Sequence, residues 1–315
     1  MDLELNEDQR ALVDALSHLM QHHVAPPKEG NVSAAVHSHY AHTLDHDLTE
    51  GGYFNIAREP GFGPLEAALL VEEAYRSPAA VEVAASALVA PQLTDEILPR
   101  PIALMRAQDM ARPARFLRLA RSVLVDCGYD VAVVEVREGD VVPVRAIYAY
   151  PHGEFRKAPD LAKARRLPGL GAKLRLWWRV ALAVEAGAAM REAVNFTCDY
   201  VKNRRQFGRP IGSFQAVQHR LAVDIQMAEG TQWLARRAAW SGVESDAALA
   251  ALHAQESIGP ICYDCHQFNG ALGITLEHAL HFWTFRLRAL QGELGGWTGQ
   301  ARAAAQALWG VAAGR

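Results

Sequence analysis

Apolar positions at the start of the chain recur at a helical spacing. Leu12, Leu16 and Met20 are each separated by four residues, an interval that places them on one face of an α-helix. Asn6 precedes the run and is a favoured N-cap residue, so the pattern predicts a first helix that extends into the twenties. A polar, histidine-rich and proline-bearing link then leads to a second helical region over about residues 41–98.

The middle of the chain changes from helical to strand-like patterning. Residues 115–150 contain short runs rich in β-branched residues, which favour strands. Gly128 and the pair Gly139 and Asp140 separate these runs and are typical turn residues. The stretch therefore predicts a small β-domain. The basic segment after Pro159 is helix-prone and predicts a return to helices.

Helical segments fill the rest of the chain. In the segment that follows Ser213, apolar residues recur three and four positions apart, which is typical of a helix face packed in a core. Ser213 itself is a suitable cap for that helix. The apolar face consists of Phe214, Val217, Leu221 and Ile225. The helices of this region are predicted to end near Asn203, Trp240, Gly270 and Trp309.

The order of these elements, α then β then α, predicts a mainly α fold with a small β-domain. The predicted parts are an N-terminal helical domain (1–100), a reduced β-domain (101–160) and a C-terminal helical bundle (161–315). With 315 residues, half of them hydrophobic, the chain is long enough to bury one large core or two smaller ones. We therefore expect a globular protein.

Charge and cysteine content narrow the class of protein. A formal net charge of -3 gives no general attraction to nucleic acid or to an anionic membrane, so neither partner is predicted. No apolar run reaches the roughly 18 residues of a membrane-spanning helix, and the first residues do not resemble a signal peptide. Four cysteines do not make a disulfide framework. These features together predict a cytoplasmic location.

Cys262, Cys265 and His266 spell C-x-x-C-H, a pattern used for haem attachment and related to zinc and redox motifs. Haem attachment needs export, zinc needs a second ligand pair, and a thioredoxin-like motif needs a βαβ unit. The sequence around the motif indicates a helix instead. We therefore interpret these residues as structural.

The most basic part of the chain lies between two predicted helices, in the sequence YVKNRRQFGRPIGSFQAVQHRL. Arginine side chains and backbone N–H groups at an interrupted helix favour a phosphate, a diphosphate or a carboxylate. A solvated basic loop is the alternative interpretation. The cations are Arg204, Arg205 and Arg209, and the helix-breaking residues are Gly208, Pro210 and Gly212.

Three segments carry a resemblance to a known family. The order R-x-Q-F-G-R-P-I-G-x-F-Q over residues 204–215 resembles the signature of the acyl-CoA dehydrogenase family. The segment HQFNGALGITLEH resembles that family's Q-x-x-G-G-x-G-[FY] segment, with Ala271 where a glycine is usual and Ile274 where an aromatic residue is usual. LELNEDQRALVDAL resembles the family's opening helix. The resemblance covers about residues 1–95 and 173–295.

The resemblance implies an N-terminal helical domain, a middle β-domain, a C-terminal four-helix bundle and FAD as cofactor. In the family's homotetramers one subunit holds the flavin ring, and a neighbour's bundle clamps the diphosphate and adenine. Arg204 stands where the family has its diphosphate arginine, and Gly270 lets backbone approach the cofactor closely. The clamp residues implied in this chain are Arg204, Gln206, Phe207, Gln267, Gly270 and Ala271.

The middle of the chain departs from the family. Ordinary members carry a T-E-x-x-x-G-S-D-like segment and a W-[IV]-[ST]-like segment that hold the flavin ring and the acyl thioester. At that place this chain reads PIALMRAQDMARPARFLRLARSVLVD, and the β-domain is shorter by several strands. The chain is therefore not expected to seat an isoalloxazine ring by itself.

The family's catalytic base is a glutamate supplied from one of two alternative positions. At the first position this chain has Trp178, which cannot act as a base. At the second, ungapped counting from Gly273 falls on Leu294, next to Glu293. Glu293 is the candidate base if the loop shifts by one residue. The alternative interpretation is an exposed or capping glutamate.

Some members of the family, notably in bacterial steroid degradation, are α2β2 heterotetramers that pair a short subunit with a complete one. This sequence resembles the short subunit, which implies a full-length homologue as partner and an acyl-CoA substrate. Two alternatives stay open. One is a self-sufficient homo-oligomeric dehydrogenase with Glu293 as base, and the other is a non-catalytic assembly protein of the same fold without flavin.

Overall fold

A computed structural model describes residues 4–23 and 40–310 of the chain. The first helix, α1, spans Glu7–His23. The Asn6 side chain accepts a hydrogen bond from the Gln9 backbone N–H at 2.8 Å, and the Gln9 side chain accepts one from the Asn6 N–H at 3.0 Å. This reciprocal capping confirms Asn6 as the N-cap. Most of the polar link predicted after α1 lies outside the described residues.

The second helical region consists of several short elements. Helix α2 spans His42–Glu50, a 3-10 turn spans Tyr53–Arg58, and α3 spans Pro64–Arg76. A short π-helical segment follows at Ala84–Val89. Proline at the first position of α3 loses no hydrogen bond, because the first helical N–H groups have no partner inside a helix.

Seven strands follow and form two sheets. In the first sheet the strand order is β1, β3, β4, β7, and in the second it is β2, β6, β5. Strand β1 pairs in parallel with β3, and the other neighbours are antiparallel. The bounds are Ile102–Arg106 (β1), Ala114–Arg115 (β2), Ser122–Asp126 (β3), Val131–Glu135 (β4), Val141–Val144 (β5), His152–Phe155 (β6) and Arg165–Leu167 (β7).

The strands extend beyond the segment that the sequence indicated. The pattern placed strand-like residues at 115–150, whereas β1 begins at Ile102 and β7 ends at Leu167. The basic segment after Pro159 was predicted to be helix-prone, and this was wrong for β7, which pairs with β4. Hydrogen bonding to β4 determines the backbone conformation of the edge strand β7 more strongly than its local helix propensity does.

Five further helices lie between Gly171 and Trp309. They are α4 (Gly171–Asn203), α5 (Gln215–Ser241), α6 (Glu244–Gly273), α7 (His281–Leu290) and α8 (Gly296–Trp309). The predicted helix ends agree within three residues, and α6 is already non-helical at Gly270 (φ 59°, ψ -142°). Ser213 does not cap α5, because its hydroxyl donates to the Pro210 carbonyl and the helix begins two residues later.

The two largest of three clusters of buried side chains in the described parts of the chain hold the elements together. Alternate residues of the first sheet face opposite sides, as the strand period requires. Leu124 and Val133 join the large core of the helices, whereas Val123 and Val134 join a smaller core that includes Phe155 of the second sheet. The sheets are thereby fixed against α4. Among the described helices, none is both long and apolar enough to cross a bilayer.

Candidate functional site

The basic segment after α4 folds as a two-stranded hairpin. Strands β8 (Arg205–Gln206) and β9 (Arg209–Pro210) pair, and Phe207 and Gly208 form the turn with φ values of 52° and 79°. Two left-handed residues in a two-residue hairpin loop define a type I′ turn. Phe207 takes a conformation that costs a non-glycine residue roughly 1 kcal/mol, and its side chain is 89% exposed at the tip.

The arginines of this hairpin carry charge that nearby acids do not neutralise. Arg204, Arg205 and Arg209 are exposed, and none of them forms an ion pair with a described residue. Arg205 donates to the Gly208 carbonyl at 3.3 Å, and the Arg209 guanidinium lies 3.9 Å from the centre of the Phe214 ring. The hairpin therefore presents an uncompensated positive surface, which attracts anions.

The second predicted segment lies where α6 breaks. Gln267, Gly270 and Ala271 are exposed. A Cβ atom added to Gly270 would have no heavy atom within 4 Å, so the backbone there is open to a ligand, and its φ of 59° favours glycine. His266 Nδ1 lies 2.6 Å from the Gly273 carbonyl oxygen and closes the loop that follows the break.

A buried hydrogen bond joins the α6 break to α4, the helix that leads into the hairpin. The Asn269 amide nitrogen donates to the Thr197 hydroxyl at 3.0 Å, joining the end of α6 to the last turns of α4. Arg204 follows Thr197 by seven residues, which corresponds to ~10 Å along a helix axis. The structure thus brings the hairpin and the α6 break to the same end of the helical bundle.

Glu293 is neither an exposed nor a capping side chain, which corrects that interpretation of the sequence. Arg115 Nε donates to Glu293 Oε1 at 2.5 Å, and Trp178 Nε1 donates to Glu293 Oε2 at 2.9 Å. The Glu293 side chain is 17% exposed. The two positions considered for a base, Trp178 and Glu293, therefore meet, and the tryptophan holds the carboxylate.

Sequence reasoning missed the groups that surround Glu293. Arg115 also pairs with Glu185, at 2.8 Å, and the Glu185 side chain is fully buried. Burial raises the pKa of Glu185 to about 7, although the adjacent guanidinium acts in the opposite direction. Burial also opposes the charge of Arg115, but the two carboxylates outweigh it and hold the pKa of Arg115 well above its ordinary value. The sequence feature that could have indicated this cluster is Glu185, a single charged residue in the apolar run LAVEAGAAM.

A cavity of about 320 Å³ opens beside this cluster. Arg115, Trp178 and Glu293 line the cavity, together with residues of β1 and of the end of α7. His152 also lines the cavity, and burial lowers its pKa, so the imidazole is neutral near pH 7. With both oxygens of Glu293 accepting hydrogen bonds, the cavity has no free carboxylate at the candidate base position.

The C-x-x-C-H residues lie within α6. Cys262 and Cys265 are buried, and burial raises the pKa of the Cys262 thiol to about 12 and also raises that of Cys265. Thiols of this kind stay protonated and are poor nucleophiles. Within residues 4–23 and 40–310, no group of three or more His, Cys, Asp or Glu side chains is placed to hold a metal ion.

Comparison with known proteins identifies the C-terminal part of this chain. Residues 176–308 match the family described as "Acyl-CoA dehydrogenase, C-terminal domain". Acyl-CoA dehydrogenase FadE34 of Mycobacterium tuberculosis is 34% identical over 182 residues, which cover 55% of this chain and 24% of that protein. The aligned part thus spans about a quarter of the length of this relative.

Solved structures extend the similarity to almost the whole chain. A chain of the ChsE4–ChsE5 complex from Mycobacterium tuberculosis superposes with a TM-score of 0.80 at 21% identity, covering 99% of this chain and all of that one. A chain of the Tcur3481–Tcur3483 steroid ACAD superposes with a TM-score of 0.77 at 21% identity, covering 96% and 98%. Residues 176–308 thus match the acyl-CoA dehydrogenase C-terminal domain, and the whole chain has the fold of the acyl-CoA dehydrogenases. The predicted fold class is confirmed.

Proposed function

We propose that this chain is a subunit of an FAD-dependent acyl-CoA dehydrogenase that desaturates an acyl-CoA thioester between its α and β carbons. In this proposal the chain clamps the diphosphate and adenine of FAD, while the flavin ring and the catalytic base belong to a partner subunit. The observation that carries the proposal is the meeting of three uncompensated arginines and the open Gly270 backbone at one end of the bundle.

The residues present fit the nucleotide half of FAD. Arg204 is free of counter-ions among the described residues and suits a diphosphate, because guanidinium groups form strong charge-assisted hydrogen bonds to phosphate. Gln206 and Gln267 are exposed amides that can donate or accept at the same end of the bundle. Phe207 and Ala271 complete the proposed contact surface, and the Gly270 backbone has room for close approach. Bound FAD supplies the acceptor for the hydride that leaves the β carbon.

The hydrogen bonds made by the Glu293 carboxylate favour a catalytic base in the partner subunit. A general base needs a carboxylate oxygen that can reach the α proton of the substrate. Both oxygens of Glu293 accept hydrogen bonds, from Arg115 and Trp178. This chain's contribution to the reaction is therefore binding and orientation of the cofactor.

The partner in this proposal is a full-length homologue in an α2β2 assembly. The ChsE4–ChsE5 complex and the Tcur3481–Tcur3483 steroid ACAD both pair two named components and share the fold of this chain, which supports the hypothesis. By the same analogy, the proposed substrate is a steroid-derived acyl-CoA. The proposed location is the cytoplasm, from the low cysteine content of the sequence.

The proposal is tested by flavin content. The chain purified alone is expected to carry far less than one FAD per chain, because the ring has no binding surface there. The complex isolated with its full-length partner is expected to carry bound FAD, measured by absorbance of the released flavin. A stoichiometric amount of FAD in the lone chain would overturn the division of the site between subunits.

The self-sufficient enzyme is the second candidate, because Glu293 lines a cavity. We expect Glu293→Gln to leave turnover by the native complex unchanged. The same change should lower the melting temperature, since Arg115 loses one of its two counter-charges. Turnover and thermal unfolding are measured on the same preparation, with Glu138→Gln, an exposed acid in the β4–β5 turn, as the control. A large loss of turnover at unchanged stability would make Glu293 the base.

A further inference from the structure

Asn269 lies immediately before the break in α6 and is completely buried. Its amide nitrogen donates to the Thr197 hydroxyl at 3.0 Å and to the Cys265 carbonyl at 2.8 Å. Thr197 is also completely buried, and its hydroxyl donates to the Ala193 carbonyl at 2.8 Å. A continuous hydrogen-bonded path therefore runs from the backbone of α4 to the side chain that precedes Gly270.

The net contribution of Asn269 to stability is small. Its carbonyl oxygen is buried and has no hydrogen-bond partner among the described residues. The cost of an orphaned buried acceptor is comparable to the gain from the two bonds that the amide nitrogen makes. An apolar side chain of similar size would fill the same volume without that cost. Thermal stability alone therefore does not account for an amide at this position.

The location of Asn269 suggests a different role. Gln267 and Gly270 flank it, and both belong to the proposed FAD clamp. Thr197 lies on α4, the helix that leads directly into Arg204. The bond from His266 to the Gly273 carbonyl shapes the loop internally but does not attach it to α4. The Asn269–Thr197 bond ties the residue next to the α6 break directly to the helix that carries the hairpin. Thr197 also bonds the Cys265 thiol, one helical turn earlier in α6.

We infer that Asn269, through Thr197, is a positioning residue that sets the α6 break at the correct distance from Arg204, so that one dinucleotide diphosphate contacts both segments. This inference rests on the proposed function. A ligand that is held by two segments at once loses affinity when their relative placement loosens, even if every contact residue is still present.

The test uses the native complex with its bound FAD. Asn269→Leu is expected to raise the dissociation constant for FAD at least tenfold, while the melting temperature of the FAD-free complex changes little. Thr197→Val removes the same hydrogen bond from the other side and should give a similar loss. Combined in one protein, the two changes should cost no more than either alone, because they remove one shared interaction.

Two variants serve as references. Thr197→Ser keeps the hydroxyl and should restore wild-type affinity for FAD. Thr231→Val removes a buried threonine hydroxyl of α5 that bonds to the Met227 carbonyl and to His253 Nδ1 of α6, and should leave FAD affinity unchanged because neither partner belongs to the proposed clamp. These references separate the loss of one specific bond from general loosening of the bundle.

Wild-type affinity in Asn269→Leu would overturn the inference, as would a loss of affinity that merely follows a fall in melting temperature. Failure of the proposed function gives a different result. In that case Arg204→Ala would bind FAD as tightly as the wild-type complex, or the wild-type complex would hold no FAD, and the positioning role would be excluded together with it.

Discussion

Arg115→Met is expected to lower the free energy of unfolding by about 3 to 5 kcal/mol at pH 8, because it leaves two acids without their counter-charge. Glu185 is the main cause, since its side chain is completely buried beside Arg115. Glu293 loses a hydrogen bond from the same guanidinium. Chemical denaturation monitored by circular dichroism gives the value directly.

The same variant should show a characteristic dependence on pH. Burial already raises the pKa of Glu185 from its ordinary 4.5 to about 7. A carboxyl group with a raised pKa in the folded state favours folding while it is protonated, and this stability is lost as the pH rises through the folded value. Removing Arg115 raises that pKa further, so the deficit relative to wild type should be smaller at pH 5 than at pH 8.

Arg112→Met is the matched control for Arg115→Met. Arg112 belongs to the same loop region, but its side chain is 75% exposed and pairs with Asp109 at 3.3 Å. Exposed ion pairs of this kind contribute about 0 to 1 kcal/mol. Equal losses in the two variants, or a loss at Arg115 that does not change with pH, would show that the buried charges do not determine the stability of this region.

Arg204→Ala is expected to weaken binding of FAD by the native complex at least tenfold. Each charge-assisted hydrogen bond to a desolvated phosphate contributes about 1.5 to 3 kcal/mol, and about 1.4 kcal/mol corresponds to one factor of ten in affinity. The melting temperature of the FAD-free complex should be unaffected, because Arg204 is exposed and forms no ion pair with a described residue. Flavin fluorescence titration measures the dissociation constant.

Lys202→Ala provides the comparison for Arg204→Ala. Lys202 is a cation two residues earlier, in the last turn of α4, but it is neutralised by Asp199 at 2.9 Å. Its removal should change FAD affinity by less than a factor of three, whereas the Arg204 variant should also reduce the dependence of binding on salt. If the two variants behave alike, the hairpin acts only through its overall charge, and the specific role of Arg204 fails.

The sequence was most informative where local chemistry determines the backbone. Asn6 and Gly270 mark helix boundaries because a cap and a left-handed φ act within a few residues. The mainly α fold with its small β region was predictable because apolar spacing and runs of β-branched residues are also local features of the sequence. Strand β7 was missed because its pairing with β4, and not its own composition, determines its conformation.

The candidate site was predictable only in part. The two clamp segments stood out through their residue order, and the structure places them at one end of the bundle. The surroundings of Glu293 could not be predicted, because Arg115 and Glu185 are 178 and 108 residues away from it in the chain and meet it only in the folded protein. The clamp residues, the bounds of the three domains and the shared flavin stay predictions, and the variants above address the clamp residues and the flavin.

The large hydrophobic core joins the helices and the first sheet into one packed unit, although the α, β, α order of elements suggests separate domains. Leu16 of α1, Leu124 of β3 and Leu287 of α7 belong to one uninterrupted cluster of buried side chains. Because no solvent layer separates these elements, loss of packing in one should be transmitted to the others, and the polypeptide should melt in one cooperative transition. A substitution that destabilises the strands would then also destabilise the end of the bundle where the nucleotide is proposed to bind.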